Sequence, residues 1–259
     1  MANRQPIIFI GAGPGDPELI TVKGMKALSR AEVVLFAGSL VSPAVMAWAP
    51  PGAELVNTAH LALEDIVARL IQAHRAGKRV VRLHSGDTSL FSAMQEQLAL
   101  LEGEGIPCQV IPGVTAAGAA AAALAQELTL PEVTQTVILT RAAGRTAVPE
   151  RENLRSLAAH GATLVIYLSA GLLEQVAAEL GAAYGAEAPV VVAYRVSWPE
   201  ERIIRGTLAD IAAKVREAGI SRQALIMVGP ALSAWEGRLQ ARSRLYDRTF
   251  AHGWRDAAD

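Results

Sequence analysis

PIIFIGAGPGDPELIT, Pro6 to Thr21, decides how this chain is read. The apolar run Ile7–Ile10 stops at Gly11, and Gly11, Gly13 and Gly15 then lead into a segment that can open a helix. A strand, a glycine turn and a helix start begin a parallel α/β unit, and the same arrangement holds dinucleotides on a helix N-terminus. Two residues count against a dinucleotide here. Pro14 has no N–H to offer a pyrophosphate, and Asp16 puts negative charge where phosphate oxygens would lie. The second strand, in VVLFAGSL (Val33–Leu40), ends without an acidic residue for a ribose hydroxyl. The loop therefore either admits a ligand that carries no phosphate or only meets the backbone angles of a strand-to-helix turn.

Outward from this turn, apolar runs alternate with helical periodicity. The runs Ile7–Ile10, Val33–Phe36, Arg79–Leu83, Cys108–Ile111, Thr136–Leu139, Thr163–Tyr167, Val190–Tyr194 and Ala224–Val228 predict strands. Leu63, Ile66, Val67, Leu70 and Ile71 share one helical face. This alternation predicts an α/β fold of two α/β domains with largely parallel sheets, and unbroken Val/Ile runs predict strands covered on both faces. The polar, proline-containing stretch LTLPEVTQ breaks the pattern. It sets domains at 1–130 and 131–235, with an Arg- and aromatic-rich tail over 236–259.

The composition, 51% hydrophobic and 19% charged over 259 residues, supports a substantial core. A net charge of -1 gives no field for nucleic acid or an anionic membrane, so neither is an expected partner. One cysteine, Cys108, excludes an intrachain disulfide and a cysteine-based zinc site, and fits a reducing compartment. The N-terminal apolar run is too short for a signal peptide, and no apolar stretch is long enough to span a bilayer. A cytoplasmic protein is the expectation. His60, His74, His84 and His160 show no metal-ligand spacing, so no metal site is expected; His74, beside basic neighbours on a helix, is expected to be exposed.

HSGDTSLF (His84–Phe91) follows a strand and is expected to open a helix, as does IPGVTAAGAAAAAL (Ile111–Leu124). Both put small and polar residues at the C-terminal ends of strands, where open α/β sheets form their ligand crevice. In this order, GAGPGDPELIT, SGDTSLF and PGVTAAGAAAA resemble the tetrapyrrole methyltransferase family that uses S-adenosylmethionine. The resemblance continues through VIYLSAG, VVVAYRVSWPEERIIRGTL and ALIMVGP. RTAVPERENL and the tail SRLYDRTFAHGWR are similar to the branch of that family that serves corrin ring construction.

The resemblance implies two α/β domains with the cofactor in a cleft between them, a homodimer, and S-adenosylmethionine as methyl donor. It carries cofactor contacts to Pro14, Ser85, Gly86, Asp87, Leu90, Thr115, Ala116, Leu168 and Ala193. In the second motif Thr88 stands where the family commonly has proline, which leaves the role of Asp87 open; capping a helix is the alternative. The chemistry agrees, because a ligand with a sulfonium and an ammonium but no phosphate tolerates Asp16 and Asp87 nearby.

A corrin precursor carries many carboxylates, and arginine's planar fork binds both oxygens of each. Of the 24 cationic residues, four are lysine and twenty arginine. Arg141, Arg145, Glu150, Arg151 and Asn153, in TRAAGRTAVPERENL after a second-domain strand, are the candidate substrate-binding residues; surface capping and pairing is their alternative. Arg195, Arg202 and Arg205 are expected to face solvent. The tail residues Arg242, Arg244, Tyr246, Arg248, Phe250, His252 and Trp254 are expected to pack on their own subunit or on a partner. The sulfonium is already activated, so the protein's work would be alignment and water exclusion, and no catalytic residue is assigned. A nicotinamide oxidoreductase and a non-catalytic tetrapyrrole carrier are the rival classes.

Overall fold

A computed structural model describes residues 5–236 and 243–256. The chain divides into two compact units, Met1–Ala120 with Arg195–Glu201, and Ala121–Tyr194 with Arg202–Asp259. This division lies between Ala120 and Ala121, whereas the sequence reading set the step between Leu130 and Pro131.

The first unit holds β1 (Ile7–Gly11), β2 (Val33–Phe36), β3 (Glu54–Asn57), β4 (Val80–His84) and β5 (Cys108–Ile111). They form one sheet in the order β3-β2-β4-β1-β5, parallel throughout. Side chains alternate across it. Ile10, Val34, Val81 and Leu83 pack with Leu28 of α1 (Val22–Leu28) on one face. Ile7, Phe9, Val33, Leu35 and Val80 pack on the other with Ile66 and Leu70 of α2 (Leu63–Arg75) and Leu101 of α3 (Met94–Gly103). Each fully buried aliphatic side chain contributes about 1.5–3 kcal/mol. The connection leaving β1 and the one leaving β4 thus cover opposite faces, and loops at the C-terminal ends of those neighbouring strands face a topological switch point.

His74 is buried, at 4% exposure, and its Nε2 lies 3.1 Å from the Gln5 carbonyl oxygen. The expectation of exposure fails because Ile66, Leu70 and His74 fall at i, i+4 and i+8 on the apolar stripe. The helix expected directly after Ser85–Asp87 begins only at Met94, after a loop with left-handed Phe91 (φ 49°) and Ala93 (φ 51°).

The second unit holds β6 (Val137–Arg141), β7 (Thr163–Tyr167), β8 (Pro189–Tyr194), β9 (Arg202–Thr207) and β10 (Ala224–Val228), in the order β6-β7-β10-β8-β9. Only β6 and β7 pair in parallel; the other neighbours are antiparallel, which corrects the expectation of largely parallel sheets here. The link Arg195–Glu201 is too short for a crossover, so β8 and β9 form a hairpin and every later strand runs reversed. Helices α5 (Leu154–Ala158), α6 (Leu173–Tyr184) and α7 (Ile211–Glu217) bury Leu154, Val176, Leu180, Ile211 and Val215 against Leu164, Ile166, Val190, Val192, Ile226 and Val228. Remaining helix α4 (Ala116–Ala123) contains the division between the units.

In the tail, Arg255 donates to the carbonyls of Asp247 (2.6 Å) and Leu245 (2.7 Å), drawing the chain back on itself. Tyr246 is 75% and Trp254 97% exposed among the described residues, and Arg248 is exposed too, whereas Phe250 is partly covered. Arg242 lies outside the described residues.

Candidate functional site

Three loops of the first unit meet at the C-terminal ends of β1, β4 and β5, and they meet backbone to backbone. Gly13 and Gly86 form an isolated bridge: Gly86 N–H donates to the Gly13 carbonyl at 2.8 Å, and Gly13 N–H returns to Gly86 at 3.2 Å. Ala12 N–H donates to the His84 carbonyl at 2.8 Å. A methyl on Gly11 would stand 2.6 Å from the Gly113 nitrogen and 2.7 Å from the Gly86 oxygen, and one on Gly113 would overlap that oxygen outright. These glycines therefore serve close approach between loops, and the amides of Gly13, Gly86 and Gly113 are consumed there rather than offered to a phosphate.

Asp87 ties two of the loops together. Its Oδ2 accepts the Gly113 N–H at 2.7 Å, and its Oδ1 accepts the Ser89 N–H at 2.9 Å together with the Ser89 hydroxyl. Burial opposes its ionisation, but the bonds from the Ser89 hydroxyl and the Gly113 and Ser89 amides outweigh it and hold the carboxyl below its ordinary value. It does not cap α3, whose N-cap is Ala93. Thr88, in the family's proline position, is buried, and its carbonyl accepts the Ser92 hydroxyl at 2.5 Å.

Beneath this loop, His84 is 3% exposed and stacks on Phe9, ring centroids 5.8 Å apart. Its Nε2 has no hydrogen-bond partner among the described residues. Burial, and then the charge of Arg82, push its pKa down to about 3. Arg82 is itself buried and donates to Gln97 Oε1 (3.1 Å) and Thr58 Oγ1 (3.0 Å); burial lowers it to about 10, so it keeps its charge at neutral pH.

The glycine loop is also held from a third side. Trp198 Nε1 donates to the Pro14 carbonyl at 2.8 Å, Asp16 N–H donates to Ser197 Oγ at 3.0 Å, and Trp48 Nε1 donates to the Pro17 carbonyl at 3.0 Å. Asp16 Oδ1 accepts Glu18 N–H at 2.8 Å and starts a short 3-10 turn, Pro17–Leu19. Sequence reasoning gave Ser197, Trp198, Trp48, Ser89 and Gly113 no role. No local pattern signals these contacts, which join residues far apart in the chain.

Of the predicted cofactor residues, Pro14, Ser85, Gly86, Asp87, Leu90, Thr115 and Ala116 thus lie on these three loops or at the start of α4, all in the first unit. Leu168 and Ala193 belong to the second. Leu168 follows β7 in a left-handed conformation (φ 56°) with its side chain 65% exposed, a strained placement that functional sites concentrate. Ala193 sits inside β8, paired with Leu225 and Ile203, and is 1% exposed.

The predicted substrate residues share one loop of the second unit, between β6 and α5. Arg141 turns its guanidinium onto that loop's own carbonyls, donating to Thr146 at 3.0 Å and to Ala147. Asn153 caps α5, its Oδ1 accepting Ser156 N–H at 2.8 Å. Arg145, Glu150 and Arg151 are exposed. A cavity of about 300 Å³ lies away from all of these, lined by Gln5, Ile8, Lys26, Arg30, Arg79 and Gln109 among others. Among the described residues no group of three His, Cys, Asp or Glu could hold a metal ion, and no helix is long and apolar enough to cross a membrane.

The sequence pattern of the Tetrapyrrole (Corrin/Porphyrin) Methylases matches residues 6–212. The chain belongs to that family. This methylase is 48% identical over 256 residues to a cobalt-precorrin-4 C(11)-methyltransferase of Methanocaldococcus jannaschii, covering 98% of both chains. It is 51% identical over 249 residues to a precorrin-4 C(11)-methyltransferase of Pseudomonas aeruginosa, covering 96% of this chain and 98% of the relative. Its fold matches the X-ray structure of a cobalt precorrin-4 methyltransferase, a cobalamin biosynthetic enzyme, with a TM-score of 0.85 at 49% identity, over 88% of this chain and 95% of that one. A uroporphyrin-III C-methyltransferase from Thermus thermophilus, solved with S-adenosylhomocysteine, matches with a TM-score of 0.75 at 29% identity, over 89% of this chain and 100% of that one.

Proposed function

We propose that this methylase transfers a methyl group from S-adenosylmethionine to C-11 of precorrin-4, giving precorrin-5 and S-adenosylhomocysteine in cobalamin biosynthesis. The observation that carries this reading is similarity along almost the entire chain, 51% identity over 96% of it, to a relative named for that reaction. The choice of donor is supported by the loop chemistry. Amides that would bind a pyrophosphate are bonded within the three loops, and Asp87 is held ionised among them, which suits a cationic, phosphate-free ligand and argues against a nicotinamide dinucleotide. The relative solved with S-adenosylhomocysteine supports it further.

When bound, S-adenosylmethionine supplies a sulfonium-activated methyl group to a carbon nucleophile of the macrocycle. Pro14, Ser85, Gly86, Asp87, Leu90, Thr115 and Ala116 would hold it, and Leu168 and Ala193 keep their assignment by resemblance alone. The protein's contribution is fixed geometry: loops sewn together by glycine contacts and by Asp87 cost little to organise when ligand arrives. Arg145 and Arg151, exposed and near one another in sequence, are proposed to receive macrocycle carboxylates. Arg141, Glu150 and Asn153 would shape that loop. His84 is too depressed in pKa to exchange protons near neutrality, so no general base is assigned.

Incubation with precorrin-4 and methyl-labelled S-adenosylmethionine tests the reading. Label appearing at C-11 supports it; no transfer, or label at another carbon, overturns it. The same incubation with cobalt-precorrin-4 decides a second reading, which the cobalt-precorrin-4 relative at 48% identity favours. There the metal belongs to the substrate. We further propose a cytoplasmic homodimer, supported by exposed Tyr246 and Trp254 in the tail.

A further inference from the structure

Pro14 and Pro17 deprive the glycine loop of two N–H groups that could pin its backbone, so its shape is set from outside. Three observations converge on the turn Arg195–Glu201. The indole N–H of Trp198 fixes the Pro14 carbonyl at 2.8 Å, and Ser197 Oγ takes the Asp16 N–H at 3.0 Å, which brackets Gly15 with one bond on each side. Gly15 lies flat against the indole, so that a methyl there would overlap Trp198 Cδ1 and Nε1. The turn holds two residues with side chains in the left-handed region, Arg195 (φ 44°) and Ser197 (φ 65°). Such conformations are costly and persist only where the surroundings enforce them. Here Ser197 N–H donates to Glu201 Oε2 at 2.6 Å, Arg195 pairs with Glu200 at 3.5 Å, and the Arg195 guanidinium lies 5.1 Å from the Trp198 ring centroid.

We infer that Trp198 is a positioning residue for the methyl donor: through its indole N–H and its packing on Gly15, it sets the Pro14–Asp16 backbone in the shape that receives the donor. This rests on the reading that the glycine loop contacts S-adenosylmethionine. Trp198 acts through Pro14 and Gly15 and takes no part in the chemistry. Gly15 is then glycine because of the indole and not because of a phosphate.

The test uses the full chain and the variants W198F, W198A, G15A and G15A/W198A. Measurements are calorimetric Kd for S-adenosylhomocysteine, KM for each substrate, kcat and the urea midpoint. W198F keeps a ring on Gly15 but loses the indole donor. It should raise the donor Kd about 5- to 10-fold, the worth of one hydrogen bond, and leave the precorrin-4 KM within about twofold, with the urea midpoint lowered only slightly. G15A should weaken donor binding more than W198F, and much of that loss should vanish in the W198A background, because the steric conflict is with the indole. Unchanged donor affinity in W198F, equal losses for both substrates, or additive effects of G15A and W198A would each overturn the inference. If W198A fails to fold, W198F and G15A still decide it. Wild-type protein that binds no S-adenosylhomocysteine overturns the proposed function and this inference together; wild-type binding with an indifferent W198F overturns this inference alone.

Discussion

At the scale of single residues, Asp87 and His84 show how the site loop is built on charge states. Asp87→Asn keeps the shape but weakens the bonds from Ser89 and Gly113, and should lower stability at pH 7 by about 1–3 kcal/mol. Because the folded carboxyl sits below its unfolded value, this stability is present above about pH 4 and is lost as pH falls through the folded pKa. The gap between wild type and variant, read from urea midpoints, should therefore close in acid; a gap that stays constant down to pH 3 would contradict the assignment. His84 works in another window. Its folded pKa of about 3 lies below the unfolded value, so stability is full above about pH 6.5 and declines as the unfolded chain takes up a proton the folded one refuses. His84→Leu should remove this dependence, losing about 2–3 kcal/mol less than wild type between pH 7 and pH 4.5 in urea titrations. Equal losses would mean that the ring is protonated in the folded protein.

At the scale of elements, the stitching of three loops makes a sharp contrast among glycines. Gly113→Ala drives a methyl into the Gly86 carbonyl and the Gly11 backbone, neither of which is a flexible side chain. It should cost about 3 kcal/mol or more in urea denaturation and abolish donor binding, as backbone conflicts do. Gly52→Ala, with nothing near the added carbon, should be within about 0.5 kcal/mol of wild type. Equal effects would mean that the loops are not packed as described.

Elements were also the level at which the sequence was most legible. Eight strands announced themselves because buried Val and Ile runs carry their own signal. β3, an exposed edge strand, and β9, which carries Arg202 and Arg205, gave none. Strand direction is not written in periodicity; only the short link Arg195–Glu201 betrayed the hairpin that reverses the second sheet. The site was legible as three small-residue segments after strands, since that pattern is local. Its fastenings were not, because Asp87 reaches Gly113 and Trp198 reaches Pro14 across long stretches of chain. Arg141, read as a carboxylate ligand, also donates to the Thr146 carbonyl of its own loop, a contact that periodicity does not disclose.

At the scale of the whole molecule, an all-parallel unit carries the three stitched loops after β1, β4 and β5, and a mostly antiparallel unit carries Leu168 and the Arg-bearing loop between β6 and α5. The hairpin Arg195–Glu201 joins strands of the second unit but clusters with the first. Family membership and the loop chemistry point to the same donor from independent directions. Hydrogen exchange with and without S-adenosylhomocysteine tests that convergence most directly. The account predicts new protection at Gly11–Pro17, Ser85–Phe91 and Gly113–Ala116. Protection confined to other segments, or protection of these same loops by NAD and not by S-adenosylhomocysteine, would contradict it.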